Sequence, residues 1–151
     1  MTSDQSKVRL DQLDIGYEFS PASYNLDAEI VSEYLEAVGE ASSLYQQSGN
    51  PRALTGLIPP MAVATFAMTA LSQRLSLSPG SIHITQELEF LKAIEVGDKI
   101  TCHARVSRKW ERGKFQLLTI DLSVLDQREE LVQSGKVGFI LPSEAEKLEG
   151  G

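Results

Sequence analysis

Cysteine, histidine and positive charge are all scarce in this chain, and each shortage removes a class of function. Cys102 is the single cysteine in 151 residues. No intrachain disulfide can form, and zinc sites built on paired cysteines are excluded. The two histidines, His83 and His103, show no E-x-x-H spacing, so no metal site is expected. Against 21 Asp and Glu stand 14 Lys and Arg, a formal net charge of −7. That balance disfavours nucleic acid, which attracts proteins mainly through its phosphates, although it allows a local basic patch. No apolar run approaches the roughly 20 residues that span a bilayer. The polar stretch Met1–Asp14 lacks the apolar core of a signal peptide, which makes the cytoplasm the expected compartment.

What remains fits one domain. A hydrophobic fraction of 42% suffices for one core. Residues 1–14 and 143–151 are polar and poor in aromatics and read as tails, leaving a domain over 15–142. Tyr17–Tyr24 reads as an extended segment. Asn25 or Asp27 can cap a helix in which Ile30, Val31, Tyr34, Leu35 and Val38 recur at helical spacing, and Gly39 ends it. Glu40–Tyr45 reads as a further turn and Gln46–Thr55 as a polar loop. Met61–Ser76, preceded by Pro59-Pro60, is apolar around most of its circumference and contains no acidic residue. Such a helix is expected to be buried, and proline suits its first turn.

Beyond Pro79-Gly80 the period changes to two. Ile82, Ile84, Leu88 and Phe90 alternate, as do Ile100, Cys102, Ala104 and Val106. Leu118, Ile120, Leu122 and Val124 follow, and then Val132, Val137, Phe139 and Leu141. Turns fall at Gly97-Asp98, Arg112-Gly113-Lys114 and Asp126-Gln127-Arg128. The order of strand, helix, buried helix and four strands predicts an α+β hotdog fold, an antiparallel sheet wrapped around one long apolar helix. A ferredoxin-like split βαβ fold is the alternative, but it would not place its helices ahead of four consecutive strands.

Several segments also resemble a known family, the MaoC-like dehydratases. They are Tyr34-Leu-Glu-Ala-Val-Gly-Glu40, the following Tyr45, Leu57-Ile-Pro-Pro60, Ile82-His-Ile-Thr-Gln-Glu-Leu-Glu-Phe90 and Val96-Gly97-Asp98. The resemblance runs from about Gly16 to Leu141. It is closest to the branch holding FAS1-like dehydratase domains and non-catalytic hydroxyacyl dehydratase subunits. It implies cofactor-free, reversible hydration of an enoyl thioester, carried by coenzyme A or a carrier protein. In that chemistry a carboxylate and a histidine hold a water and act as acid and base. Amides at the start of the central helix polarise the thioester carbonyl.

Carried over by position, the resemblance implies a degenerate site. Glu40, Ser42 and Tyr45 stand where catalytic members have Asp, Asn and His. Glu40 keeps a carboxylate one methylene longer. Tyr45, with a reference pKa of about 10, cannot replace a histidine base near neutrality. Pro59-Pro60 replaces the His-Gly that opens the central helix, and proline has no N–H, so Met61 or Ala62 would have to donate. His83 matches a histidine of the FAS1-like branch and becomes a candidate for substrate or partner contact.

Each candidate has a plainer reading. Glu40 can be a solvated helix-end residue and Tyr45 an interfacial tyrosine. His83 can be an ordinary strand residue, and His103 can face solvent or a second subunit. Arg108, Lys109, Arg112 and Lys114, around Trp110, can contact coenzyme A phosphates or an acidic carrier, or simply solvate a hairpin end. Cys102 reads as a small core residue. Hotdog thioesterases usually carry an acid on the central helix, and Met61–Ser76 has none.

The expectation is therefore an acyl-thioester-binding or structural hotdog subunit with weak or absent hydratase activity. It would form a dimer with itself or with a catalytic MaoC-like sister. The competing readings are an active 3-hydroxyacyl-thioester dehydratase using Glu40, and a ligand-binding hotdog outside acyl metabolism.

Overall fold

The computed structural model describes residues 7–40, 42–47 and 50–142. In chain order the elements are β1 (Val8–Arg9), a 3-10 turn (Leu10–Gln12), β2 (Ala22–Asn25), α1 (Ala28–Val38), β3 (Gln46–Gln47), β4 (Asn50–Leu54), α2 (Pro60–Arg74), β5 (Leu75–Ser76), β6 (Ile82–Phe90), β7 (Lys99–Arg112), β8 (Phe115–Leu125) and β9 (Leu131–Pro142). The main sheet runs β2-β7-β8-β9-β6, antiparallel throughout, and it wraps α2 as the hotdog arrangement requires. Strands β7, β8 and β9 form the expected meander; β2 and β6 are its edges.

Helix α1 begins where Asp27 accepts the Ile30 amide at 2.9 Å and stops at Gly39, whose φ of +68° is the left-handed conformation that favours glycine. It buries Val31, Ser32 and Leu35 and exposes the opposite side. Helix α2 buries Ala62, Val63, Ala64, Ala67, Ala70 and Leu71. The four alanines among these let the sheet approach the helix axis closely. The helix is not enclosed on all sides as its composition predicts. Met61, Thr65, Thr69, Ser72 and Gln73 are exposed along one flank, beside edge strand β6.

The core has two halves. One joins Ile58, Ala62 and Val63 at the start of α2 to Ile94, Ile100, Val124 and Val132. The other joins Leu71 and Leu75 at the end of α2 to Val106, Leu118, Phe139 and Leu141. The β7–β8 hairpin tip thus lies at the C-terminal end of α2.

Two expectations need correction. Residues 7–14 are not a loose tail: Leu10 and Leu13, three apart on one side of the short turn, are buried in the second half of the core. At roughly 1.5–3 kcal/mol per buried leucine, that contact is substantial. The remaining tail residues, 1–6 and 143–151, lie outside the described residues. Second, the loop expected at Gln46–Thr55 is a β3–β4 hairpin. Gln46 points inward and is 1% exposed.

Candidate functional site

The start of α2 and the exit of α1 meet at one place. Pro59 caps α2 and Pro60 is its first residue, so a donor is missing where helices usually offer several. The Ala62 amide is already occupied by the Pro59 carbonyl at 2.9 Å. The Met61 amide makes no hydrogen bond among the described residues and is a donor this helix end still offers. The Pro60 carbonyl is held by Gln133 Nε2 at 2.7 Å. Gln133 is 4% exposed, so this bond pins the helix start to β9.

On the α1 side, Glu40 N–H donates to the Leu35 carbonyl at 3.0 Å. Its side chain accepts the Ser42 amide at 2.8 Å, and its carbonyl accepts from Gln46 Nε2. The Ser42 hydroxyl accepts the Leu44 amide at 3.2 Å, and the Ser42 carbonyl accepts the Tyr45 amide at 3.1 Å. This turn therefore fixes Glu40, Ser42 and Tyr45 by backbone bonds. Gln46 Oε1 is buried and has no partner among the described residues, an acceptor held beside Glu40.

Tyr34 joins the two helices. Its hydroxyl hydrogen-bonds Thr65 of α2 and lies within electrostatic reach of Glu40 and Tyr45. Burial, more than these neighbours, pushes its pKa up, so it stays a neutral donor and acceptor near pH 7. The Thr65 hydroxyl in turn donates a hydrogen bond to the Met61 carbonyl at 2.8 Å. Tyr34, Thr65, Gln46 and Gln133 were not singled out in the sequence. Tyr34 sat within an apolar helical stripe, and its partner is 31 positions away. The one available signal was Thr65, a polar residue interrupting an apolar helix.

Glu40, Ser42, Tyr45, Pro60, Met61 and Ala62 thus belong to one end of the molecule, and the other candidates do not. His83 packs on Phe139, with ring centroids 5.3 Å apart, and its Nε2 lies 3.0 Å from the Thr85 carbonyl. Phe90, seven residues along β6, pairs with Gln133. His83 therefore stands roughly 23 Å from the Pro60 end of its own chain. His103 faces away from α2 and is half-buried. Burial drives the Cys102 thiol up to about 12, so it is inert core, as expected.

The basic hairpin is likewise at the wrong end of its own chain, about one helix length (roughly 22 Å) from Pro60. It is also divided. Lys109 points inward, donating to the Leu13 carbonyl at 2.9 Å and the Asp11 carbonyl at 3.5 Å. It clamps the N-terminal segment, which corrects its place among the candidate phosphate or carrier contacts. Arg108 turns outward, its guanidinium carbon 5.2 Å from the Trp110 ring centroid.

A groove of about 420 Å³ runs along the open flank of α2, lined by Met61, Thr65, Met68 and Gln86 among others. Shallow polar depressions also lie on the outer face of the sheet around Asp121 and Ser123. They lie on the far side of the sheet from the helix start. Among the described residues no cluster of side chains suits a metal ion, and no helix is long and apolar enough to cross a membrane.

Residues 13–134 match the profile of the FAS1-like dehydratase domain region. No curated protein sequence matches the chain. Solved structures share the hotdog fold at low identity. A monoamine oxidase regulatory protein from Archaeoglobus fulgius superposes with a TM-score of 0.72 at 17% identity, covering 91% of this chain and 95% of that one. An (R)-hydratase from A. caviae involved in PHA biosynthesis gives 0.67 at 20%, covering 87% and 98%. The HadBC (3R-hydroxyacyl-ACP dehydratase) complex from Mycobacterium tuberculosis gives 0.66 at 18%, covering 87% and 99%.

Proposed function

Because the chain belongs to the FAS1-like dehydratase domain family, we propose that it is an acyl-thioester-binding hotdog subunit with weak or no hydratase activity of its own. One observation carries the reading. The end of α2 that should activate a thioester carbonyl opens on Pro59-Pro60, which have no N–H to give, and no histidine stands beside Glu40. A hydration step needs a group that takes a proton from water and returns it. Tyr34, whose pKa burial pushes up, does not ionise near pH 7 to fill that role. What remains is a groove lined by the hydroxyls of Thr65, Thr69 and Ser72 and by Gln86, with Tyr34 and Glu40 behind Thr65, suited to binding an acyl thioester by its carbonyl and its 3-hydroxyl.

The assembly follows from edges. Among the described residues strand β6 is unpaired on its outer side, and beside it lies the open, uncharged flank of α2. An antiparallel pairing of β6 with β6 of a second hotdog covers both. It also reverses the strand, bringing His83 of the partner subunit towards the Pro60 end of this chain. The partner is a second copy or a catalytic MaoC-like sister, an arrangement in keeping with the HadBC complex.

The test is hydration of crotonyl-CoA by the purified protein, alone and with a candidate sister subunit, alongside calorimetric binding of the same thioester. Binding without turnover is the expected result. Turnover by the isolated chain that Glu40→Gln abolishes would replace this reading with an active dehydratase. The retained carboxylate, oriented by the Ser42 amide, is the feature that favours that second reading.

A further inference from the structure

The solvent side of the main sheet divides sharply along its length. Near the Pro60 end its cross-strand rows are polar: His103, Ser123, Ser134 and Glu89 form one, and Arg105, Asp121, Lys136 and Glu87 the next. Near the hairpin the same face becomes apolar. Trp110 pairs with Leu117, Leu117 with Ile140, and Ile140 with Ile82, one unbroken row across four strands. The next row continues it with Phe115 and Pro142. Ile82 is 58% and Phe115 49% exposed. A solvated sheet face has no reason to carry such a row, and contiguous exposed apolar surface marks a contact site.

Three cations rim this row: Arg108, Arg112 and Lys114. None is ion-paired among the described residues. Glu111, the acid nearest in sequence, alternates to the opposite face, where Gln116 donates to it at 3.3 Å. In a chain of net charge −7, an unpaired basic rim around an apolar row is a local inversion. It is complementary to an acidic protein surface with an apolar ridge. A second copy laid on the row by two-fold symmetry would set these cations against their like. The row lies on the outer face of the sheet that wraps α2 and spans roughly 14 Å across four strands, whereas nucleotides are bound in concave pockets.

We propose that this face docks an acidic carrier protein bearing the acyl thioester. The inference rests on the acyl-thioester reading above and decides between its two carriers. The β6–β6 pairing supports it, because strand reversal brings the row of one protomer to the same end of the dimer as the α2 start of the other, on the opposite face of the sheet. A carrier seated there reaches the partner's site around the end of the sheet.

The test titrates the full-length protein with holo-acyl-carrier protein and, separately, with crotonyl-CoA. The triple variant R108E/R112E/K114E changes only exposed side chains and is expected to bind the carrier at least roughly tenfold more weakly. Trp110→Ser should lose roughly 30-fold, because it removes the largest aromatic of the row. Crotonyl-CoA binding should be unchanged in both variants. Carrier binding that is equal in wild type and triple variant overturns the proposal, as does an absence of carrier binding while crotonyl-CoA still binds. A Trp110→Ser variant that loses self-association beyond the dimer would assign the row to a second copy and also overturn it. Failure of both ligands to bind wild type would instead remove the acyl-thioester reading itself.

Discussion

The two helices differ in the side they expose. In α1 polarity matches position: Val31 and Leu35 are buried, Glu29 and Glu36 are exposed, and Asp27 and Gly39 mark the ends. In α2 the exposed flank is polar but uncharged: Thr65, Thr69, Ser72 and Gln73, with Met61 at its start. Uncharged side chains are desolvated at lower cost than charged ones, so this flank is the face that the proposed second subunit would cover.

Substitutions can sharpen or break this contrast. The largest effect is expected for Leu35→Ala, which empties a site that is 1% exposed and should cost about 2–5 kcal/mol in denaturant unfolding. Gln133→Leu removes the donor that holds the Pro60 carbonyl. It should cost about 1–3 kcal/mol by leaving that acceptor unpaired, with weaker crotonyl-CoA binding as a second readout. Asp27→Ala deletes the α1 cap and should cost about 1 kcal/mol.

Thr69→Glu, on the open flank of α2, should alter monomer stability by less than about 0.5 kcal/mol while sedimentation shows dissociation of the dimer. A dimer that withstands it would break the contrast between the helices.

The smallest effect concerns the ion cluster that ties Lys92 to Asp126 and Glu130. Hydrogen bonds to Glu130 and Asp126 raise the Lys92 pKa, and the bond from Lys92 lowers that of Asp126. The Asp126 contribution is therefore present above about pH 4, the ordinary aspartate value. It disappears as pH falls through the depressed folded value. The Lys92 contribution is complete below about pH 10.4 and lost as pH rises through the raised one. Unfolding midpoints of wild type and Lys92→Met should differ only between these limits.

Much of the fold was legible because long elements repeat their period. The α1 caps, the apolar α2 and the alternation of β7, β8 and β9 all fall where that pattern puts them. Short elements carry no period: the Leu10–Gln12 turn and the two-residue β3 gave no signal. At the candidate site the turn holding Glu40, Ser42 and Tyr45 could be placed by likeness to a family. The Tyr34–Thr65 bond could not, because it depends on how closely two helices approach. Nor could the separation of His83 from Pro60, since both signatures read as neighbours until the direction of β6 is known.

The bulge at Val106/Arg108 has a wider consequence. Strict alternation from Cys102, Ala104 and Val106 would carry Arg108 and Trp110 into the core and leave Lys109 outside. The extra residue, Ser107, anchored by its hydroxyl to Asp121 at 2.8 Å, turns the ribbon over. Everything from there to the hairpin tip changes sides, so one residue of chain length determines which side chains the molecule shows to its surroundings. Deleting Ser107 would be read as a frameshift in space, pushing Trp110 inward and expelling Lys109 from its clamp. A family member one residue shorter here would keep the fold and present a different face.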